Sequence, residues 1–328
     1  MRHRFSSSLL TLGTLSITAI ALLANSAGAQ SRQIRTAEQV AADAAAFRAG
    51  LHADTPFVSA DGTIVFGHRC ATHDLTEAER AASDAKTAAV EASMVLPSAE
   101  ELLADPRLAK KNVVNVVFHV IHSGNQGNVS TSAIKDQLRV LNKAFRRHGF
   151  RFKIAEITRT NNSNWYNGCA KPATERAMTK ALSVDARRTM NIYLCNPKDG
   201  SLGWAYLPGS AVTGTTRDGV FLLYSTLPGG SASPYNLGDT GTHEVGHYLG
   251  LDHTFAGGCG GNGDRVADTA PEKSPAYGCP AGRDTCSGGG PDPITNFMDY
   301  TDDDCMEAFT DGQRAHMKKE VAAHRSEI

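Results

Sequence analysis

The sequence lacks an excess of either charge, because 33 basic side chains are balanced by 34 acidic ones and the net charge is −1. Proteins that bind nucleic acids or anionic membranes carry a basic patch or stripe. Beyond its N-terminus the sequence also lacks any apolar run that approaches the roughly 20 residues needed to cross a bilayer. We therefore expect neither a nucleic-acid partner nor a stable membrane association. A G-x-S-x-G motif is missing as well, which removes support for a serine hydrolase.

The N-terminus has the pattern of a secretory signal peptide. Arg2 and Arg4 precede an apolar stretch from Leu9 to Leu23, and the small residues 27–29 (Ala-Gly-Ala) offer a cleavage site. A membrane anchor is the alternative, but the stretch is short and contains several Ser and Thr residues. We expect residues 1–29 to form a signal peptide and the remainder to be secreted to the extracellular space.

Cysteine content fits an exported protein. There are seven cysteines, at positions 70, 169, 195, 259, 279, 286 and 305. In an oxidising compartment an odd number implies disulfides plus one unpaired thiol. Four of the seven lie beyond residue 258 among Gly, Pro and Asp, where little regular structure is predicted. We expect that region to be held together by disulfides rather than by a large core.

Residues 30–105 differ in composition from the rest of the chain. They contain Ala-rich, charged runs that predict helices over 36–49 and 76–94, and few large side chains that could fill a core. Because this segment follows the signal peptide directly, we interpret it as a propeptide. A solvent-exposed helical arm is the alternative.

From residue 106 the pattern indicates an α/β domain with a mixed sheet. Apolar runs and alternation predict strands over 112–122, 150–158, 190–195 and 219–226. A helical apolar stripe and flanking cap residues predict helices over 130–148 and 174–182. We expect an N-terminal catalytic subdomain over 106–253 and a C-terminal subdomain over 254–328.

One motif carries metal chemistry, and it reads His243-Glu244-x-x-His247-x-x-Gly250-x-x-His253. On a helix, His243 and His247 lie one turn apart on the same face and can bind one ion. Gly250 permits the left-handed turn that ends the helix and returns the chain to deliver His253. Three protein ligands leave one position open, as a catalytic zinc requires. Glu244 is then the predicted general base.

Two other classes of protein are alternatives to a zinc endopeptidase with this motif. A secreted, non-catalytic binding module could use zinc structurally, but such a site does not need Glu244. A zinc peptidase with a distant Glu as third ligand would not need His253 at this spacing. A helix with three surface histidines is the remaining alternative, and it leaves the spacing of the five motif residues unexplained.

The region from Gly241 to Gln313 resembles the pappalysin family (peptidase family M43) of the metzincin metalloproteases, especially its small secreted bacterial and fungal members. The matching pieces are GTHEVGHYLGLDHTF, GGC, GD-x-V-x-DT, GCP, DTC, DPITNFMDY and DDDCMEAFTDGQ. The resemblance implies a metzincin fold, in which a twisted mixed sheet and the active-site helix lie above a disulfide-stapled, loop-rich C-terminal subdomain. It also implies a secreted zinc endopeptidase that acts on proteins or peptides.

Several residue roles follow from the resemblance alone. Met298 would form the methionine turn beneath the zinc, or it is an ordinary core methionine. Tyr300 would stabilise the oxyanion during catalysis, or it is a buried structural tyrosine. The resemblance pairs Cys259 with Cys286 and Cys279 with Cys305, whereas the sequence by itself leaves three connectivities among these four. Cys169 and Cys195 would form the third bridge.

Cys70 is then the unpaired thiol, and it lies in the predicted propeptide. Metzincin zymogens often block the zinc with a propeptide cysteine, whose thiolate is a good ligand. Family members tend to have Cys-Gly at this place, whereas here Ala71 follows the cysteine. A free thiol or a bridge to another chain is the alternative.

Two acidic loops complete the candidate sites. The glycine-rich segment 257–269 offers Asp264, Asp268 and Thr269 as candidate calcium ligands, because calcium prefers oxygen ligands on flexible loops. Asp304 lies where metzincins form the pocket for the residue after the scissile bond, and a carboxylate there would favour Arg or Lys. A solvated loop and an exposed charged turn are the respective alternatives.

Overall fold

The computed structural model describes residues 55–59, 62–93, 112–260 and 263–328. The predicted signal peptide over 1–29, the predicted helix over 36–49 and the predicted end of the propeptide near residue 105 lie outside these residues.

The described part of the N-terminal segment begins with a hairpin and continues into a helix. Strands β1 (Thr55–Val58) and β2 (Ile64–Gly67) pair antiparallel. Phe57 of β1 packs with Leu202 and Tyr235 in a small apolar cluster. Helix α1 (Glu77–Ser93) confirms the helix predicted over 76–94.

A five-stranded mixed sheet forms the centre of the molecule. Its strands are β3 (Asn112–His122), β4 (Phe150–Asn161), β5 (Thr189–Cys195), β6 (Gly203–Ala205) and β7 (Val220–Leu223). They lie in the order β4-β3-β5-β7-β6, with β6 antiparallel to the other four. Every residue of β5 is buried, as expected of an interior strand in a sheet that is covered on both faces.

The predicted strand over 112–122 is confirmed with the same bounds, whereas the one over 219–226 is shorter than predicted. After Leu223 the chain enters a 3-10 turn, Tyr224–Thr226. The partner strand β6 is only three residues long, so the ladder ends there. The hydroxyl of Thr226 then donates to the carbonyl of Leu223 and closes the turn.

Helices cover both faces of the sheet, two on the side of the main core and two on the side of a second cluster around Tyr193 and Phe221. They are α2 (Thr131–Phe145), α3 (Ser163–Gly168), α4 (Pro172–Leu182) and α5 (Asp239–Tyr248). Ser130 caps α2 by accepting a hydrogen bond from the backbone N–H of Ala133 at 3.1 Å. The predicted helix over 130–148 continues as a 3-10 turn, Arg146–His148, before Gly149 at φ 88° ends it.

The C-terminal part contains long loops and one helix, α6 (Asp311–His324). Described residues between α5 and α6 form neither helix nor strand. Helix α6 is not predicted from the sequence, because its inward face includes the polar residues Gln313 and Glu320 and carries little apolar periodicity. Within the described ranges, no helix combines the length and apolarity that a bilayer span requires.

Candidate metal centre

Three histidines converge at the C-terminal end of α5. His243 and His247 lie one helical turn apart, and Gly250 at φ 111° reverses the chain so that His253 returns toward them. The Nε2 of His247 lies 3.1 Å from Nε2 of His243 and 3.0 Å from Nε2 of His253. All three side chains are buried.

Hydrogen bonds on the opposite ring nitrogens fix the proton positions of two of these histidines. The Nδ1 of His243 lies 2.7 Å from the carbonyl oxygen of Phe297, and Nδ1 of His247 lies 2.7 Å from that of Leu251. A carbonyl only accepts, so each Nδ1 carries the proton and each Nε2 presents a lone pair. Burial also lowers the pKa of all three histidines, that of His247 to about 4.

This donor set fits zinc. The unprotonated Nε2 atoms of His243 and His247, 3.1 Å apart, cannot hydrogen-bond to one another, and a shared cation would relieve the repulsion of their lone pairs. The Sγ of Cys70 belongs to the same group, whose ligand atoms all lie within 4.8 Å of one another. Three imidazoles and a thiolate are a zinc donor set, and the thiol stands at the position that a catalytic site leaves open.

Glu244 is buried beside the histidines. Its Oε2 accepts a hydrogen bond from the hydroxyl of Thr72 at 2.9 Å, and the Sγ of Cys70 lies 3.5 Å away. Within the described part of the chain, the buried Oε1 of Glu244 has no hydrogen-bond partner. Burial raises the pKa of the Glu244 carboxyl to about 8, although Cys70 and Thr72 lower it.

The segment around Cys70 runs along the free edge of β6 and covers the centre. The backbone N–H of His68 donates to the carbonyl of Gly200 at 3.1 Å, and the backbone carbonyl of His68 accepts from the N–H of Leu202 at 3.0 Å. The backbone N–H of Ala71 donates to the carbonyl of Gly203 at 2.9 Å, so the two segments run parallel to one another. Burial and the neighbouring Glu244 carboxylate raise the pKa of the Cys70 thiol.

Arg69 inserts into a pocket beside the histidines. Its Nη2 lies 2.9 Å from Oδ1 of Asp303, and neither side chain is exposed. Its Nη1 donates to the hydroxyl of Thr240, and its guanidinium stacks 4.6 Å from the ring centroid of Tyr235. Asp304, the carboxylate expected from the sequence, is exposed. The carboxylate that contacts the guanidinium is therefore Asp303.

Met298 and Tyr300 lie on the C-terminal side of the histidines. Met298 is fully buried, and its Sδ packs so closely on Gly246 of α5 that a Cβ there would overlap it. The ring centroid of Tyr300 lies 5.7 Å from that of His243 and 5.0 Å from that of His253. Both residues thus border the metal centre.

The candidate calcium residues separate into two groups. Asp264 is buried and its Oδ1 accepts from the hydroxyl of Thr269 at 2.7 Å and from the N–H of Val266 at 3.1 Å. Asp268 is exposed and bonds instead to Thr310 and Gly312 at the start of α6, at 2.7 and 2.8 Å. The structure brings Asp264 and Thr269 together but directs Asp268 elsewhere.

Three disulfides are present, with the pairing that the family resemblance implies. They are Cys169–Cys195, Cys259–Cys286 and Cys279–Cys305. Cys70 is the free cysteine among the described residues, and it is buried.

Sequence patterns did not identify Arg69, Thr72, Gly203 or Asp303 as parts of this centre. Gly203 is required because a Cβ there would lie 2.8 Å from Cγ of Glu244. The only sequence signal for Arg69 and Thr72 is that they flank the unpaired Cys70. Asp303 lies within a run of three aspartates, and sequence spacing does not distinguish a buried member from an exposed one.

Comparison with known proteins places these features in one family. Residues 173–322 match the Peptidase_M43 family model, described as pregnancy-associated plasma protein-A. Extracellular metalloprotease 1 of Coccidioides posadasii is 45% identical over 233 residues, which cover 69% of this chain and 83% of that protein. An extracellular metalloprotease of Pyricularia oryzae is 42% identical over 247 residues, which cover 72% of this chain and 86% of its own length.

Solved structures give the same result. Mature mirolysin of Tannerella forsythia, in complex with a cleaved peptide, is 32% identical with a TM-score of 0.58 and covers 64% of this chain and 91% of its own. A promirolysin mutant from the same organism is 28% identical with a TM-score of 0.63. That similarity covers 79% of this chain and 96% of promirolysin, and thus more of this chain than the mature form does.

Proposed function

The chain belongs to the pappalysin family, peptidase family M43, and on that premise we propose which residues perform its hydrolysis and which keep it latent. It is an extracellular zinc metalloendopeptidase of the metzincin kind and acts on protein or peptide substrates. One observation supports the residue assignment above all others. Three buried histidines bring their Nε2 atoms to one point, beside the buried carboxylate of Glu244.

His243, His247 and His253 are the proposed zinc ligands. The carbonyl oxygens of Phe297 and Leu251 hold the first two rings in the required tautomer. Bound zinc would supply Lewis-acid polarisation of the scissile carbonyl and acidify the attacking water. Met298 packs under α5 and supports the position of that helix.

Glu244 is the proposed general base and acid. Its carboxylate would accept a proton from the attacking water and deliver that proton to the leaving amine. The hydroxyl of Tyr300 would donate a hydrogen bond to the oxyanion as the carbonyl becomes tetrahedral. Because water attacks directly, no covalent bond forms between enzyme and substrate.

The decisive test is cleavage of a peptide library by the processed protein, with products identified by mass spectrometry. We expect internal cleavage that a zinc chelator abolishes and that Glu244→Ala abolishes while zinc content stays unchanged. Zinc measured by atomic absorption separates loss of the base from loss of the metal. Full activity in Glu244→Ala would contradict the assignment, and a zinc-loaded, processed chain without any cleavage would favour the non-catalytic binding module.

Cys70 is the proposed latency residue. Its Sγ stands among the three histidine nitrogens and beside Glu244, so it excludes the attacking water from both. Cys70→Ser replaces a strong zinc ligand by a weak one. We expect the full-length Cys70→Ser chain to cleave peptides before processing, whereas the wild-type chain does not. Equal latency in both would remove the role of the thiol.

We further propose that Asp303, in place of Asp304, selects Arg or Lys after the scissile bond. The pocket already accommodates a guanidinium, that of Arg69, between Asp303 and Tyr235. Removing the N-terminal segment would free this pocket for a substrate side chain. The cleavage sites mapped in the peptide library test this preference directly.

Calcium is proposed at the 263–269 loop with a reduced set of ligands. The Thr269 hydroxyl contacts both the Asp264 carboxylate and the Val266 carbonyl, which gives an all-oxygen group. Burial raises the pKa of Asp264 to about 6, an ionisation cost that a bound cation would offset. We expect calcium to raise the unfolding temperature of the wild type but not of Asp264→Ala. An equal rise in both would place any calcium elsewhere.

The proposed domain boundaries remain those of the sequence. Residues 1–29 would be removed as a signal peptide and 30–105 as a propeptide, leaving subdomains 106–253 and 254–328. N-terminal sequencing of the secreted latent and active forms tests both cleavages. An active form that still begins before Cys70 would contradict the propeptide assignment.

A further inference from the structure

Helix α1 presents a stripe of polar side chains on one face. Arg80, Asp84, Thr87 and Glu91 are spaced four, three and four residues apart, and Ser83 lies beside Asp84, so all five follow one side of the helix. The buried residues of α1 are Ser83 and Thr87 rather than large apolar residues. The helix therefore docks through polar groups and not through an apolar face.

Each member of this stripe meets a complementary partner in the C-terminal part of the chain. The contacts are Arg80–Asp252 at 3.0 Å, Ser83–His324 at 2.9 Å, Asp84–Arg265 at 3.1 Å, Thr87–Glu320 at 3.2 Å and Glu91–Lys319 at 2.7 Å. Along the helix one positive charge, Arg80, is followed by two negative charges, Asp84 and Glu91, and each is opposed by the reverse charge. A helix with the inverted pattern would meet like charges at every ion pair.

The receiving surface consists of Asp252, Arg265 and three residues of α6, namely Lys319, Glu320 and His324, and we call it the α1 surface. None of the five partners is a proposed zinc ligand or Glu244. Gly209 borders the same contact, because a Cβ there would lie 2.7 Å from Oγ of Ser83. The α1 surface is thus separate from the cleft in which Cys70 and Arg69 bind.

These contacts are suited to reversible binding. In the three ion pairs, Arg80 is 27% exposed, Asp84 is 54% exposed and Glu91 is 51% exposed. Partly exposed ion pairs are individually weak and are screened by salt. Without a large apolar interface, docking depends on several such pairs acting together.

We propose that the α1 surface is a second, metal-independent anchor for the N-terminal segment. Its partner is a short polar helix with the charge pattern of α1, supplied here by the chain itself. A cut between α1 and β3 would then leave the N-terminal segment bound and the centre covered. Release follows when α1 dissociates, which high salt promotes. The regulatory consequence rests on the proposed latency by Cys70, whereas the docking itself does not.

The test uses the full chain with Glu244→Ala, which prevents self-cleavage, and Cys70→Ser, which removes the thiol. A recognition sequence for a site-specific protease is placed within residues 98–104. After the cut, gel filtration with zinc present measures how much of the N-terminal fragment remains bound at low and high sodium chloride. We expect retention at low salt and dissociation at high salt.

The critical variant is Arg80→Ala with Asp84→Ala, compared with Glu77→Ala and Lys86→Ala. Both pairs remove one base and one acid from α1, but Glu77 and Lys86 are exposed and outside the stripe. Alanine favours helix at all four positions. We expect the stripe variant to weaken retention by about tenfold, from two lost ion pairs, and the control to change it less than about twofold.

Charge exchange provides a second measurement. Glu91→Lys should weaken retention, and Lys319→Glu in the same chain should restore it, because the pair is then reversed but intact. Equal retention in the stripe variant and its control would overturn the proposal and leave residues 55–72 as the anchor. Because retention is read on an inactive, thiol-free chain, failure of the catalytic or latency assignments would not affect this result.

Discussion

The two carboxylate oxygens of Asp303 contact different parts of the chain. One carboxylate oxygen contacts the guanidinium of Arg69. The other accepts the backbone N–H groups of Leu237, Gly238 and Asp239, at 2.9, 3.1 and 3.2 Å. Those N–H groups lie at the start of α5, where the helix dipole favours a nearby negative charge. A single buried carboxylate therefore shapes the pocket and stabilises the start of the helix that carries the histidines.

Asp303→Asn tests the pocket at the level of one residue. The amide oxygen can still accept from the start of α5, but the negative charge that the proposed pocket would present to a substrate guanidinium is lost. We expect kcat/KM for peptides with Arg after the scissile bond to fall about 10- to 100-fold relative to Leu peptides, as for a lost charged hydrogen bond. Asp304→Asn is the exposed control and should leave the ratio unchanged. If Asp304→Asn lowered this ratio and Asp303→Asn did not, Asp304 would be the carboxylate that selects Arg.

Helix α5 and the turn that carries Met298 form one packed unit. Asn296 orients this turn by accepting from the N–H of Met298 at 2.9 Å. The same side chain exchanges two amide hydrogen bonds with Gln313 of α6, at 2.8 and 3.0 Å. The turn is thereby fixed between α5 and α6, and Met298 fills the space above Gly246.

Gly246→Ala tests that packing. The added methyl group would overlap the buried Sδ of Met298, so either the methionine or the helix must move. We expect the free energy of unfolding to fall by about 1–3 kcal/mol, as for an overpacked core. Gly260→Ala is the matched control, because no atom lies within 4 Å of its added Cβ. Chemical denaturation of both variants in the Glu244→Ala background measures the difference.

The same turn contains a buried carboxyl with an unusual titration. Burial raises the pKa of Asp299 to about 7, against opposing hydrogen bonds from the N–H groups of Ala276 and Tyr300. In the described part of the chain its Oδ2 has no hydrogen-bond partner. A carboxyl whose pKa is raised on folding stabilises the fold at low pH, and that contribution disappears as pH rises through the folded pKa.

In Asp299→Asn the free energy of unfolding should therefore depend less on pH than it does in the wild type. Between about pH 4 and pH 8 we expect the wild type to lose about 4 kcal/mol of unfolding free energy relative to the variant, which cannot ionise. Unfolding free energies measured across that range check the slope, with the exposed Asp284→Asn as control. Parallel curves for Asp299→Asn and the wild type would mean that Asp299 is ionised at neutral pH.

For the whole molecule, the metal centre links segments far apart in sequence. Its histidines come from α5 and the loop after it, while the carbonyl that orients His243 belongs to Phe297. Without a cation, the Nε2 lone pairs of His243 and His247 are held close together at the expense of folding free energy. A ligand that binds only the folded state stabilises it by about 3 kcal/mol when its concentration is a hundred times the dissociation constant.

Zinc should accordingly raise the unfolding temperature of the Glu244→Ala chain, and a chelator should reverse the increase. Differential scanning calorimetry measures this without reference to activity. His247→Ala removes the central ligand and should abolish the response. A zinc response that survives His247→Ala would locate the stabilising ion outside the proposed centre.

Much of the fold and the centre of the site could be predicted from local patterns. The strand over 112–122 has its predicted bounds because an apolar run rich in Val and Ile is a strong strand signal. Helix α6 escaped prediction, since buried Gln313 and Glu320 find polar partners that a periodicity argument does not anticipate. The pairing of Asp303 with Arg69 was not predicted because the two residues are 234 positions apart in the sequence.

Local sequence patterns were sufficient to predict the chemistry of this protein. The spacing of His243, Glu244, His247 and His253 requires only one helix and one glycine turn, so local rules suffice to predict a zinc peptidase. The burial of one of three adjacent aspartates, the contacts of Arg69 and the docking of α1 became apparent from the folded structure alone. Those outcomes depend on burial and charge pairing between distant segments, which no local pattern encodes.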